Sequence, residues 1–167
     1  MKQFTAKIPH TKFNETELRV DLPNGARITL LGSESPDGLR GIYLDGCVID
    51  EYANVNSKLF PEIIRPALSD RKGYCVFIGT PMGMNNNFYE LYQHAQGAED
   101  WFNYKAKASD TKIVDNDELV KAKEVMGDKK FQQEFECDWI ANIEGAVYGD
   151  VIAKLDDDKQ LTRVPYD

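Results

Sequence analysis

Two adjacent carboxylates, Asp50 and Glu51, follow a short apolar run, Cys47-Val48-Ile49. Consecutive apolar residues, rather than alternating ones, predict a strand buried on both faces, as in a parallel sheet. A buried strand that ends in two acids delivers them to the C-terminal edge of its sheet, where open α/β sheets hold their ligands. Successive strand side chains point to opposite sides, but where the backbone turns at the strand end both can face one site. There one carboxylate can hold Mg²⁺ through water while its neighbour polarises an attacking water. Asp50 suits the first task and Glu51 the second. An Asp-Glu pair at a strand end equally suits a solvated turn or a helix N-cap, so the pair alone does not choose.

Two further features bear on that choice. Gly79-Thr80-Pro81 ends a second apolar run, Tyr74-Cys75-Val76-Phe77-Ile78. A Thr80 hydroxyl beside a carboxylate on the neighbouring strand can sense a γ-phosphate or orient water; Gly-Thr-Pro also works as a plain strand-to-loop breaker. Arg40 lies in a glycine-flanked loop, where its guanidinium can bridge phosphate oxygens or act across a subunit boundary, or simply be exposed. His10 and His94 lack a second ligand type at metal spacing. Arg71-Lys72 and Lys129-Lys130 read as solvated turns or helix ends. Tyr89, Leu91 and Tyr92 read as core or interface rather than as a base-stacking platform.

The elements that must position these groups follow from periodicity and turn chemistry. Leu18, Val20 and Leu22 alternate with Arg19 and Asp21, Pro23-Asn24-Gly25 supplies a turn, and Ile28, Leu30 and Leu31 follow, which predicts a hairpin. Residues 32–41 are a polar, Gly/Pro-punctuated loop. A helix is expected over 57–69, with Pro61 and Pro66 forcing its starts or kinks. A second is expected over 87–96, with Gly97 as its C-cap. Residues 102–106 alternate like a third strand. Asp115 or Asp117 is expected to cap a helix that runs to about Met126; Gly127 breaks it, and another spans about 129–136. Residues 145–167 read as a short helix (151–155), an acidic run and a tail. Strand and helix alternate through most of the chain, so the expected fold class is α/β, a mostly parallel sheet with flanking helices after an N-terminal β-hairpin.

Composition sets outer bounds. The chain has 167 residues, the size of one domain, with 20 Lys+Arg against 28 Asp+Glu and a net charge of −8. That balance excludes a bulk polycation that binds nucleic acid by charge excess. No apolar run approaches the ~20 residues that span a bilayer. The N-terminus lacks a signal-peptide core, and three scattered cysteines suggest neither a disulfide framework nor a zinc site. A cytoplasmic setting is expected.

The block SPDGLRGIYLDGCVIDEYANV, followed by FPEIIRPALSDRKGYCVFIGTPMGMNNNFYELY, resembles the ATPase domain of the large terminase subunit of tailed bacteriophages. These are the motors that package double-stranded DNA into procapsids. The motif match covers residues 35–55 and 60–92. The resemblance implies a partial P-loop NTPase domain of the ASCE type. It makes the strand ending in Asp50-Glu51 the Walker B, with Asp50 the Mg²⁺ carboxylate and Glu51 the catalytic glutamate. It makes Gly79-Thr80-Pro81 the coupling motif, with Thr80 on the nucleotide side, and puts Arg40 where some members carry an arginine finger. Mg²⁺ and ATP are implied for the complete motor. The implied partners are double-stranded DNA, a portal protein and a small terminase subunit, in the host cytoplasm.

The departures are equally specific. The family binds ATP phosphates with a glycine-rich loop ending in Gly-Lys-Ser/Thr, and nothing in this chain fits that pattern. Residues 1–17 are too few for the missing strand, loop and helix. Residues 1–144 are therefore expected to be the C-terminal part of the ATPase domain, and 145–167 a linker toward a nuclease domain absent from the chain. On that basis the chain alone is expected to be inactive as an ATPase. The missing strand is expected to leave an apolar edge or face that drives self-association, rearrangement, or burial under the hairpin. The alternative reading is a catalytically dead interaction or structural module, or a prophage remnant, of the same fold; an unrelated metal-dependent hydrolase is a third.

Overall fold

The computed structural model describes residues 1–140, which divide into two compact units. The chain passes from the first unit into the second after Cys47, returns at Val55, and leaves again after Tyr74. The stretch 145–167, including the expected helix at 151–155, lies outside the described residues.

The first unit opens with a helical turn, α1 (Lys2–Thr5), and a three-stranded antiparallel sheet, β1 (Lys12–Asn14), β2 (Arg19–Asp21) and β3 (Arg27–Thr29). The expected hairpin is β2–β3, in register Arg19↔Thr29, Val20↔Ile28 and Asp21↔Arg27. Its turn works as the residue types require. Gly25 takes φ +84°, Leu22 donates to the Ala26 carbonyl at 2.8 Å, and the Asn24 side chain accepts from the Ala26 N–H. The Arg27 guanidinium, 2.7 Å from Asp21, holds that carboxyl below its ordinary value. The strand β1, pairing Phe13 with Val20, has no counterpart in the sequence reading, because three residues with one apolar side chain carry no periodicity.

The expected helix over 57–69 is present in two pieces. A wide π-helical stretch (Leu59–Ile64) leads directly into α2 (Arg65–Ser69). Pro66 has no N–H to donate, and a widened turn before it is the usual accommodation. Leu59, Ile63, Ile64 and Leu68 recur on one face and, with Val20, form the buried core of this unit.

β4 (Gly46–Ile49) and β5 (Tyr74–Phe77) form a two-stranded parallel sheet. In the first unit Tyr74 donates to the Asp45 carbonyl; in the second, Ile78 donates to the Ile49 carbonyl at 3.0 Å. This register places Val48 beside Val76. The expectation of burial on both faces is corrected here. Ile49 is buried, whereas Val48, Val76 and Ile78 are 59 %, 43 % and 49 % exposed. Among the described residues, one face of the pair is buried at Ile49 and the other is left half-exposed.

The helices of the second unit are α3 (Asn87–Ala95), α4 (Ala108–Thr111), α5 (Asn116–Met126) and α6 (Asp128–Glu136). Asp115 caps α5, accepting from the Asp117 N–H, and Gly127 at φ +78° separates α5 from α6, as the residue types demand. Asn86, not foreseen, caps α3 by accepting from the N–H groups of Phe88 and Tyr89. The expected C-cap of α3 shifts by one residue: Gln96 is the cap, and Gly97 is not left-handed. The expected strand at 102–106 is not formed: among the described residues no strand pairs with it, and Phe102 and Tyr104 stand 86 % and 71 % exposed. The core is aromatic. Tyr52 meets Phe77, Phe77 stacks on Trp101, and Trp139 gathers Phe88, Tyr89 and Tyr92. Tyr89 and Tyr92, read from sequence as core or interface, are half-buried against Trp139.

Candidate functional site

The two motifs singled out in the sequence meet within the second unit. β4 ends at Ile49, and the chain turns sharply through Asp50 and Glu51 into a short 3-10 stretch, Tyr52–Asn54. β5 ends one residue before Ile78, and Gly79-Thr80-Pro81 turns away from the sheet. The two corners touch through their backbones. Tyr52 donates its N–H to the Ile78 carbonyl at 3.0 Å. A Cβ on Gly79 would stand 3.2 Å from the Tyr52 nitrogen, 3.3 Å from the Glu51 Cα and 3.4 Å from the Phe88 ring. A side chain there would press on the backbone of the acidic turn, and glycine avoids that crowding.

Glu51 adopts φ +50°, the left-handed region. For a residue with a side chain that costs about 1–2 kcal/mol. Three hydrogen bonds hold it there. The Asp50 carboxylate accepts from the Glu51 N–H at 3.0 Å, Asn54 donates to the Glu51 carbonyl at 2.8 Å, and Tyr52 is tied to Ile78 as above. At about 0.5–1.5 kcal/mol each, these outweigh the strain. A non-glycine residue held in such a conformation at a strand end points to function more than to folding.

The side chains are disposed for chemistry. Asp50 and Glu51 are exposed, flanked by buried Ile49 and Tyr52. Among the described residues, no hydrogen bond or ion pair engages the Glu51 carboxylate or the Thr80 hydroxyl. Among the described residues the acidic pair therefore caps no helix and joins no salt bridge. Thr80 is half-buried between exposed Gly79 and buried Pro81.

Tyr52 is the residue that sequence reasoning missed. It is only 3 % exposed. Its ring packs edge-on against Phe77 at 4.7 Å and Phe88 at 5.9 Å. Burial pushes the phenol above its ordinary value, the Asn87 contact working against it. One aromatic residue after two acids gave no periodic signal.

Arg40 lies in the first unit. Its Nε donates to Asp37 at 2.8 Å, and its terminal nitrogen stands 3.8 Å from the Glu62 carboxylate. The guanidinium is more than half exposed, so these pairs are weak, worth about 0–1 kcal/mol. Arg40, Tyr43, Glu62, Pro66 and Asp70 line a shallow cavity of about 290 Å³.

No cluster of three or more His, Cys, Asp or Glu placed to hold a metal occurs among the described residues. Mg²⁺ does not require one. It commonly takes one or two carboxylates and completes its octahedron with water and substrate phosphate. Asp50 fits that use: it is an exposed hard-oxygen donor whose Oδ1 is oriented by the Glu51 N–H. No helix among the described residues is long and apolar enough to cross a membrane.

Comparison with known proteins follows the same line. Residues 1–151 match the family described as terminase large subunit, T4likevirus-type, N-terminal. The large terminase subunits of Thermus phage G20c and Thermus virus P23-45 are each 42 % identical over 60 residues, which is 36 % of this chain and 12 % of theirs. This match therefore spans far less than two thirds of those relatives. The large terminase ATPase domain of Thermus phage P74-26 superposes with a TM-score of 0.65 at 23 % identity, over 83 % of this chain and 67 % of that one. The large terminase of a thermophilic bacteriophage, in complex with ADP, gives 0.67 at 15 % identity, over 83 % and 35 %. These superpositions show the fold to be that of terminase ATPase domains, and with the family match over 151 residues they place this chain in the phage terminase large-subunit family, N-terminal part.

Proposed function

We propose that this chain carries the water-activating edge of an ATP-hydrolysing motor that packages double-stranded DNA into procapsids. The observation that carries the reading is the contact of the Asp50-Glu51 turn with the Gly79-Thr80-Pro81 corner. Phosphoryl transfer needs positioning and electrostatics more than covalent chemistry. Glu51, exposed and without a partner among the described residues, orients and polarises the attacking water. Asp50 holds Mg²⁺, which when bound offsets charge on the phosphates. Thr80 lies on the neighbouring strand end, where a hydroxyl can register the γ-phosphate. Arg40 acts as an arginine finger toward a neighbouring copy once it leaves Asp37 and Glu62. Residues 1–144 are the C-terminal part of the ATPase domain, and 145–167 lead toward a nuclease domain. DNA, a portal protein and a small terminase subunit are the partners of this reading, with self-association as a further one and the host cytoplasm as its setting.

These 167 residues hold no Gly-Lys-Ser/Thr loop to cradle phosphates. By themselves they are expected to turn over no ATP, which is also what a catalytically dead interaction module would do. The experiment compares ATP turnover of the chain with that of a form extended upstream by a phosphate-binding segment. Turnover only in the extended form, lost in Glu51→Gln while nucleotide binding persists, supports the motor. Robust turnover by the 167 residues alone refutes the account of the cradle, and an inert extended form favours the dead module.

A further inference from the structure

We infer that residues 102–106 are an open strand edge that pairs with the same edge of a second copy of this chain, antiparallel and centred on Tyr104. The inference gives a surface to the self-association named above. It involves neither Glu51 nor nucleotide.

The run from Trp101 to Lys107 leads into α4 without a turn or bend. One side of it is anchored on α3. The Asn103 amide donates to the Ala95 carbonyl at 3.3 Å, and the Lys105 ammonium stands 5.0 Å from the centre of the Tyr92 ring. Side chains alternate along an extended chain, so Phe102, Tyr104 and Ala106 share the opposite side, and all three are exposed. Among the described residues, no backbone N–H of 102–106 donates a hydrogen bond. Of their carbonyls only that of Ala106 accepts one, from the Cys137 thiol at 3.7 Å. An extended run with free backbone groups and an apolar face is a template for another strand. The charges and prolines that usually guard such an edge are missing from the outward face, and Lys105 is turned onto Tyr92.

The free groups select the occupant and its register. Backbone groups alternate between the two edges of a strand. The Cys137 thiol marks the edge that carries the Ala106 carbonyl; Asn103 and Lys105 serve the other edge, which is open. Two copies set antiparallel about Tyr104 let Asn103 of each exchange both backbone hydrogen bonds with Lys105 of the other. Phe102 then faces Ala106 and Tyr104 faces Tyr104, an apolar row with no like charges opposed. The neighbouring registers fail. Centring on Asn103 needs the Trp101 N–H, which already donates to the Ala98 carbonyl. Centring on Lys105 sets two ammonium groups face to face and needs the Lys107 carbonyl, which accepts from Asp110 and Thr111. The stretch is thus self-complementary, and only about Tyr104.

The test uses the 167-residue chain itself, without nucleotide. At about 200 µM it is expected to sediment as a mixture of monomer and dimer, the behaviour of a small interface. Tyr104→Lys is expected to remove the dimer while leaving the urea midpoint unchanged, since Tyr104 is exposed. The net charge is −8, so an added lysine lowers the general repulsion between copies; loss of the dimer then reports the local contact. Register is read by cross-linking. The Cα atoms of a facing, non-hydrogen-bonded pair lie about 4.5 Å apart, within disulfide reach. Under mild oxidation Tyr104→Cys is expected to form a covalent dimer at least about tenfold faster than Phe102→Cys, whose counterpart lies about 13 Å away along the strand. Wild type, with its three native cysteines, is the blank. A monomer at about 200 µM, or a dimer that survives Tyr104→Lys, overturns the surface. Equal cross-linking at 102 and 104 overturns the register. None of these outcomes touches Glu51 or Thr80, so the motor reading stands or falls separately, by ATP turnover.

Discussion

The Cα of Glu51 crowds the space that a side chain on Gly79 would need: a Cβ there would be 3.3 Å away, with the Tyr52 nitrogen at 3.2 Å. Both obstacles are backbone, and the backbone is pinned by the Tyr52–Ile78 hydrogen bond. Gly79→Ala therefore cannot be absorbed by a side-chain rotation. It is expected to cost about 1–3 kcal/mol, the range for overpacking a filled site. Urea unfolding of the chain measures this directly. A loss within 0.5 kcal/mol of zero, about the scatter of an ordinary surface change, would mean that the corner yields freely and that the contact positions nothing.

Glu51 offers the opposite test, in which a change that ruins chemistry improves folding. Its left-handed backbone costs about 1–2 kcal/mol relative to glycine. Glycine in turn loses about 0.5–1 kcal/mol of extra chain entropy on folding. Relief of strain is the larger quantity, so Glu51→Gly is expected to stabilise the chain by about 0.5–1 kcal/mol. Glu51→Ala removes the same carboxylate but keeps a Cβ, and is expected to gain nothing. Equal midpoints for the glycine and alanine variants in urea would show that the turn is not strained. In the upstream-extended form both variants are expected to lose about 10²-fold or more in kcat, the usual worth of a general base.

Residue type and spacing made the corners of this fold legible and left their contacts invisible. Asp50-Glu51 and Gly79-Thr80-Pro81 stand out as polar breaks at the ends of apolar runs, although each alone equally suits a plain turn. The hairpin stood out because Asn24-Gly25 encodes its own turn. What could not be read is what depends on neighbours distant in sequence. Tyr52 looks like any loop aromatic until Phe77 and Phe88 close on it. Residues 102–106 alternate as a strand does, but alternation cannot say whether a partner strand exists, and here Phe102 and Tyr104 face outward. The run Cys47-Val48-Ile49 promised burial on both faces, since apolar side chains report a preference for burial and not the layer that provides it. Arg40 was legible as a phosphate-seeking cation, but its engagement by Asp37 and Glu62 was not.

The Tyr52 phenol gives a pH dependence with a definite sign. Burial is the main cause of its raised value, with the negative charges of Cys75 and Glu90 adding to it. The folded chain thus keeps the phenolic proton at a pH where the unfolded chain releases it. The resulting stability is complete below the ordinary tyrosine value of about 10 and is lost as pH rises through the folded value. Cys137, whose thiol burial also raises, acts with the same sign from a lower starting point. Urea midpoints of wild type and Tyr52→Phe, compared from pH 7 to 11, isolate the tyrosine. Wild type is expected to fall more steeply above pH 10, by no more than about 1.4 kcal/mol per pH unit for one group. Parallel curves would mean that the phenol titrates freely in the folded chain.

Asn86 and Asp115 both cap helices, yet their removal is expected to have different consequences. The Asn86 oxygen accepts from Phe88 and Tyr89, and its amide donates to the carbonyls of Met82 and Gly83. Asn86→Ala therefore loses a cap, worth about 1 kcal/mol, and also unties the loop that follows Gly79-Thr80-Pro81. A total near 2 kcal/mol is expected, since each further bond contributes about 0.5–1.5 kcal/mol. Asp115 accepts one N–H and caps α5, a helix with no fully buried residue. Asp115→Ala is expected to cost about 0.5–1 kcal/mol and to fray only that helix. Hydrogen exchange separates the two: Asn86→Ala is expected to expose the amides of α3 and of Tyr52 together, whereas Asp115→Ala leaves Tyr52 protected. If Tyr52 stays protected in Asn86→Ala, the start of α3 and the acidic turn are independent, and the Tyr52–Phe88 ring contact does not couple them.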